Sequence, residues 1–134
     1  MILKNYFITL VAHSETQQTL LPLFEEEHQV SCFSELSQTL QFLIHNPCNI
    51  IILEVNLPGF DGFEWKKKMF QVSPSPNLII VSQQRDIDTV VKSQRNGADY
   101  LFFLPLEVEP FQQAIQTLYQ RRKYWMNLLK QVSG

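Results

Sequence analysis

The chain has 134 residues, 45% hydrophobic and 18% charged, with a formal net charge of −2. That length suits one domain with its own core. The near-neutral charge argues against whole-chain binding to nucleic acid or a membrane surface, and no apolar run approaches the length of a bilayer span.

The first strand-like run is Tyr6–Val11. No basic stretch with a cleavage site precedes it, which reads as a cytoplasmic start rather than a signal peptide. Ala12 and His13 follow. Ser14-Glu15-Thr16-Gln17 has the order of a capping box and predicts a first helix running towards Glu27, kinked at Pro22. The second strand is Gln29–Phe33. Ser34 is the expected cap of a second helix whose buried stripe is Leu36, Leu40, Phe42 and Leu43.

The third strand, Asn49–Val55, is an apolar run that ends in a single carboxylate, Glu54. In the turn Leu57-Pro58-Gly59-Phe60-Asp61-Gly62, Pro58 presets φ and Gly59 can take the positive φ of a type II turn. Asp61 and Glu64 form the capping pattern of a third helix, and Lys66-Lys67-Lys68 reads as its solvated face. The fourth strand is Leu78–Ser82. The fourth helix, near Asp86 to Asn96, is expected to bury Ile87, Val90 and Val91 and to stop at Gly97. The fifth strand is Leu101–Leu104, before Pro105. The last helix opens at Glu109-Pro110 and runs without a breaker to Val132.

Nearly continuous apolar runs suit strands buried on both faces, and a repeated βα pattern with right-handed crossovers gives a doubly wound parallel sheet. The expected fold is α/β, three-layer α/β/α, with strand order 2-1-3-4-5. The carboxyl ends of strands one and three then meet at the topological switch point, where such sheets place their chemistry. Those ends carry Ala12, His13 and Glu54. Cys32 and Cys48 fall at opposite ends of the sheet, too far apart to bond, and no Cys/His spacing matches a zinc site.

Taken together, these residues resemble the receiver domain of bacterial two-component response regulators, over about residues 3–120. The turn at 57–62 and Gly97-Ala98-Asp99 match that family. The resemblance implies a flavodoxin-like (βα)5 fold and a set of site positions. The phosphoryl-accepting aspartate would follow Leu53, where Glu54 stands. The acidic pair would follow Val11, where Ala12 and His13 stand. The hydroxyl that ends the fourth strand is kept as Ser82, and the lysine before Pro105 is replaced by Leu104.

In the family the acidic pair holds Mg²⁺, and Mg²⁺ and the lysine neutralise the phosphoryl group in transfer. Alanine offers no ligand and imidazole is a poor one for Mg²⁺. One missing donor of this kind costs about two to three orders of magnitude in rate. The expectation is an atypical receiver that is not an enzyme, has no cofactor and binds Mg²⁺ weakly or not at all. It would act by phosphorylation-independent contact with a protein partner or an output domain. Glu54 reads either as a built-in mimic of the activated state or as a leftover carboxylate; the second is preferred because the responding lysine is gone. A contact between Glu54 and His13 is expected. Two alternatives stay open: a phosphoacceptor or metal-dependent switch using Glu54 and Ser82, and a small-ligand sensor using the switch-point crevice.

In the last helix, Val108, Phe111, Ile115, Leu118, Arg122, Trp125, Leu129 and Val132 keep a heptad rhythm broken once, at Arg122. Residues 1–120 read as the receiver-like domain and 121–134 as an extension of its last helix. One reading makes that extension a pairing or signalling helix, with Phe111, Leu118, Trp125 and Leu129 as interface candidates. The other folds it back on its own domain with Arg121, Arg122 and Lys123 solvated. The resemblance also implies a possible homodimer through the fourth helix, fifth strand and fifth helix. Binding to nucleic acid or a membrane by this domain is not expected.

Overall fold

Five parallel strands form one sheet in the order β2-β1-β3-β4-β5 in a computed structural model, which describes residues 6–26, 28–56, 59 and 61–133. The strands are β1 (Tyr6–Val11), β2 (His28–Phe33), β3 (Ile50–Val55), β4 (Asn77–Ser82) and β5 (Tyr100–Phe103). The helices are α1 (Ser14–Leu20), α2 (Leu36–His45), α3 (Gly62–Val72), α4 (Ile87–Arg95) and α5 (Val108–Ser133). The doubly wound order expected from the alternating pattern is the order observed. No helix among the described residues is long and apolar enough to cross a membrane.

All six residues of β3 are buried. Alternation along the strand divides them between two cores. Ile50 and Ile52 join Phe111, Ile115 and Leu118 of α5 on one face. Ile51, Leu53 and Val55 join Leu43 of α2 and Met69 of α3 on the other. Each such side chain contributes about 1.5–3 kcal/mol when fully buried. By the same parity Glu54 falls on the α5 face, the face of Ala12 and of Leu104, which packs against that cluster.

Several local expectations are corrected. The first helix ends at Leu20 and gives way to a short 3-10 turn, Leu21–Leu23, that contains Pro22; it does not continue as a kinked helix. Proline has no N–H to continue the ladder, so the chain tightens there. Glu27, the expected end, lies outside the described residues, as do Leu57, Pro58 and Phe60 of the Pro-Gly turn. Gly59 takes a φ of 69°. The helix caps are His13 and Glu35 rather than Ser14 and Ser34; Glu35 makes no side-chain cap bond, and its carbonyl accepts from the Thr39 hydroxyl at 2.8 Å.

Helix α4 turns a different face inward from the one its apolar residues suggest. Ile87 is 81% exposed and Val90 39%, whereas Thr89 and Ser93 are buried. Helix α5 is continuous, as expected, but Phe111 and Leu118 are fully buried in this domain's own core. They are not available to a partner. Trp125 and Leu129 are each 59% exposed, beside exposed Tyr124, Met126 and Val132. The break in the heptad has a physical cause: Arg122, which the folded-back reading placed in solvent, is half-buried, and its Nη2 donates to the carbonyls of Ser75 at 3.1 Å and Asn49 at 3.5 Å. It ties the helix to the amino edge of the sheet. Cys32 and Cys48 are both free.

Candidate functional site

Strands β1 and β3 pair in parallel, with Val11 opposite Leu53, so the residues that follow each of them meet at one edge. Gly62, the first residue of α3, packs against the end of β3. A Cβ there would lie 2.6 Å from Val55 Cγ1 and 2.9 Å from the Glu54 carbonyl oxygen, so a glycine is required for this approach.

Glu54 is fully buried. Its Oε1 accepts the backbone N–H of His13 at 3.1 Å. Its Oε2 is buried with no hydrogen-bond partner among the described residues. The expected contact with His13 is therefore present, but the peptide makes it and the ring does not. The imidazole is exposed, and its Nδ1 accepts from the Glu15 N–H at 3.4 Å as the cap of α1. That long bond is weak. Ala12 is buried; its N–H donates to Phe33 O at 3.0 Å and its carbonyl accepts from Gln17 Nε2 at 2.8 Å.

Ser82 ends β4 opposite Val55 and is fully buried. Its Oγ accepts from Asn56 Nδ2 at 3.0 Å and from the Gln84 N–H at 3.0 Å. The same Asn56 amide nitrogen donates to Thr89 Oγ1 at 2.7 Å. Both hydroxyls thus converge on one side chain. Asn56 sits at φ 66°, a left-handed conformation that asparagine tolerates better than most residues. Leu104 is half-buried, and its N–H donates to Ser82 O at 2.8 Å.

The structure therefore brings Ala12, His13, Glu54, Ser82 and Leu104 to one edge of the sheet. It directly joins His13 to Glu54 and Leu104 to Ser82. Asn56 and Thr89 belong to the same edge and went unnoticed in the sequence. A signal existed for Asn56: an asparagine two residues past the strand-end carboxylate, just before a Pro-Gly turn. Thr89 had none, because a threonine in a helix usually faces solvent.

The donor set does not suit Mg²⁺. Position 12 supplies no ligand, the His13 ring faces outward, and one carboxylate remains with one oxygen already bonded. Among the described residues no group of three His, Cys, Asp or Glu side chains could hold a metal ion. The exposed ion pairs Lys67–Glu64 and Lys92–Asp88 lie on α3 and α4 and do not involve Glu54. Beside the edge an open groove of about 340 Å³ is lined by Glu15, Thr16, Thr19, Gln83, Leu104 and Pro105.

Comparison with known proteins places these features. The sequence model described as response regulator receiver domain matches residues 11–116. The chain is 27% identical over 96 residues to the transcriptional regulatory protein YxdJ of Bacillus subtilis, covering 70% of this chain and 42% of that protein. It is 37% identical over 92 residues to the response regulator protein GraR of Staphylococcus epidermidis, covering 69% of this chain and 39% of that one. The chain thus spans about two fifths of the length of these relatives. Among solved structures, a CheY-like receiver domain protein from Methanospirillum hungatei superposes with a TM-score of 0.75 at 20% identity, covering 89% of this chain and 98% of that one. A response regulator receiver protein from Pseudoalteromonas atlantica gives 0.77 at 18%, covering 87% and 98%. At such identities the likeness carries the fold.

Proposed function

Because this chain belongs to the response regulator receiver domain family, we propose that it serves two-component signalling as an atypical receiver, one that acts by protein–protein contact without accepting a phosphoryl group. The observation that carries this reading is the state of Glu54. It is a buried carboxylate whose one bond among the described residues comes from a peptide N–H, with a leucine where a cation would stand. A transferring phosphoryl group needs positive charge placed around its oxygens. Here Ala12 and Leu104 supply none, and the hydroxyl of Ser82 already accepts two N–H donors.

The leftover reading of Glu54 is supported over the mimic by the same geometry. A mimic has to engage the hydroxyl that answers it, whereas Ser82 is held by Asn56. The partner is a protein or an output domain, met through surface left open by the fold: the exposed Ile87 and Val90 of α4, or Trp125 and Leu129 on the extension of α5. A homodimer through either surface belongs to the same proposal.

Adding Mg²⁺ and acetyl phosphate to isotopically labelled protein tests this. The amide resonances of His13, Glu54 and Ser82 are expected to stay in place. A saturable shift of all three would contradict the reading. The groove beside Leu104 and Pro105 favours a second reading, a small-ligand sensor. A metabolite that co-purifies and shifts Thr16 and Gln83 would support it.

A further inference from the structure

Asn56, Ser82 and Thr89 come from three segments: the residue after β3, the end of β4 and the first turn of α4. One amide joins all three. Asn56 Nδ2 lies 3.0 Å from Ser82 Oγ and 2.7 Å from Thr89 Oγ1. Ser82 and Thr89 are 0% and 1% exposed, so both acceptors are shielded from water, while Asn56 itself is half-buried. Thr89 is held again from its own helix, where Asp86 Oδ1 accepts its N–H at 2.8 Å.

Nothing else in α4 anchors it this way. Of its three apolar residues, Ile87 and Val90 are exposed and Val91 is half-buried. The small side chains Thr89 and Ser93 form its buried face. A helix with so little apolar burial is drawn from the low-stability end of a fold unless specific bonds hold it.

We infer that Asn56 is a latch: its amide locks the β4–α4 connection and the first turn of α4, and so fixes which face of α4 is offered to a partner. This deepens the reading of a domain held in one arrangement, and rests on it. The latch occupies the hydroxyl that a phosphoryl group would otherwise recruit. Its release would free Ser82 and Thr89 together and let α4 turn or fray, which moves Ile87 and Val90 as a unit. A partner that pulls on α4 would have to break the same bonds.

Native-state amide exchange of the whole chain, without any phosphodonor, tests the latch. Asn56→Gly keeps the left-handed backbone and removes the donors. Thr89→Val keeps the shape of the side chain and removes the hydroxyl. Exchange of the α4 amides is expected to quicken about tenfold in Asn56→Gly, with α2 unchanged, as for loss of hydrogen bonds confined to one segment. Thr89→Val should quicken the same amides to a lesser degree and add little on top of Asn56→Gly. A change in α4 below about twofold, or an equal rise in α2 and α4, would overturn the inference. If Asn56→Gly does not fold, Thr89→Val decides on the same criterion. Phosphoryl uptake by a protein whose α4 responds in this way would uphold the latch and sink the phosphate-independent reading, so the two failures are distinguishable.

Discussion

The backbone N–H of His13 donates to Oε1 of Glu54 at 3.1 Å and joins two positions 41 residues apart. The bond ties the loop after β1 to the end of β3 across the switch point. It leaves the imidazole in solvent and the second carboxylate oxygen without a partner among the described residues.

A buried carboxylate with no counter-ion, as Glu54 is among the described residues, carries a desolvation penalty of several kcal/mol when ionised. Glu54→Gln keeps an acceptor for His13 and removes the charge. It is expected to raise unfolding stability by about 1–2 kcal/mol, read from urea midpoints at neutral pH. A loss of that size would mean that the charge itself supports the fold.

Acid should weaken the start of α4. Hydrogen bonds from Thr89, through its hydroxyl and then its backbone N–H, hold the Asp86 carboxyl below its ordinary value of 3.8. The folded-state value is the lower of the two. The stabilisation is therefore complete above 3.8 and is lost as pH falls below it through the folded-state value. Asp86→Asn is expected to flatten that part of the stability–pH curve. An unchanged curve would show that the cap contributes nothing.

Arg122 replaces an apolar heptad residue because it binds carbonyls of Ser75 and Asn49. Arg122→Met should cost about 1.5–3 kcal/mol, the usual range for hydrogen bonds to a charged group. Arg122→Lys should recover only part of it, since an ammonium lacks the planar fork. Equal stability of wild type and Arg122→Met by urea unfolding would contradict the anchor.

The extension of α5 leaves Tyr124, Trp125, Met126, Leu129 and Val132 exposed. Such a cluster marks an interaction site. Sedimentation of the whole chain is expected to depend on concentration, and the double change Trp125→Ser, Leu129→Ser to abolish that dependence. A monomer at every concentration in both proteins would remove self-association through this helix.

The sheet was legible because β3, β4 and the core stripe of α5 are dominated by their own apolar pattern. Arg122 looked like a flaw in that pattern until the carbonyls it reaches were visible. Helix α4 misled because two of its three apolar residues, Ile87 and Val90, are exposed and only Val91 is half-buried, while its inward face is set by Thr89 and its bond to Asn56. That bond spans 33 residues of chain and leaves no periodic trace. Pro22 announced an irregularity, but whether a helix kinks or ends there depends on tertiary contacts. The Glu54–His13 contact was anticipated from two adjacent strand ends; that the peptide makes it followed only from the capping role of the ring.

Intact mass after incubation with Mg²⁺ and acetyl phosphate tests most directly the proposal that Glu54 accepts no phosphoryl group. The unmodified mass is the predicted result, in wild type and in Glu54→Gln alike. One added phosphoryl group per chain in wild type, absent from Glu54→Gln, would contradict it.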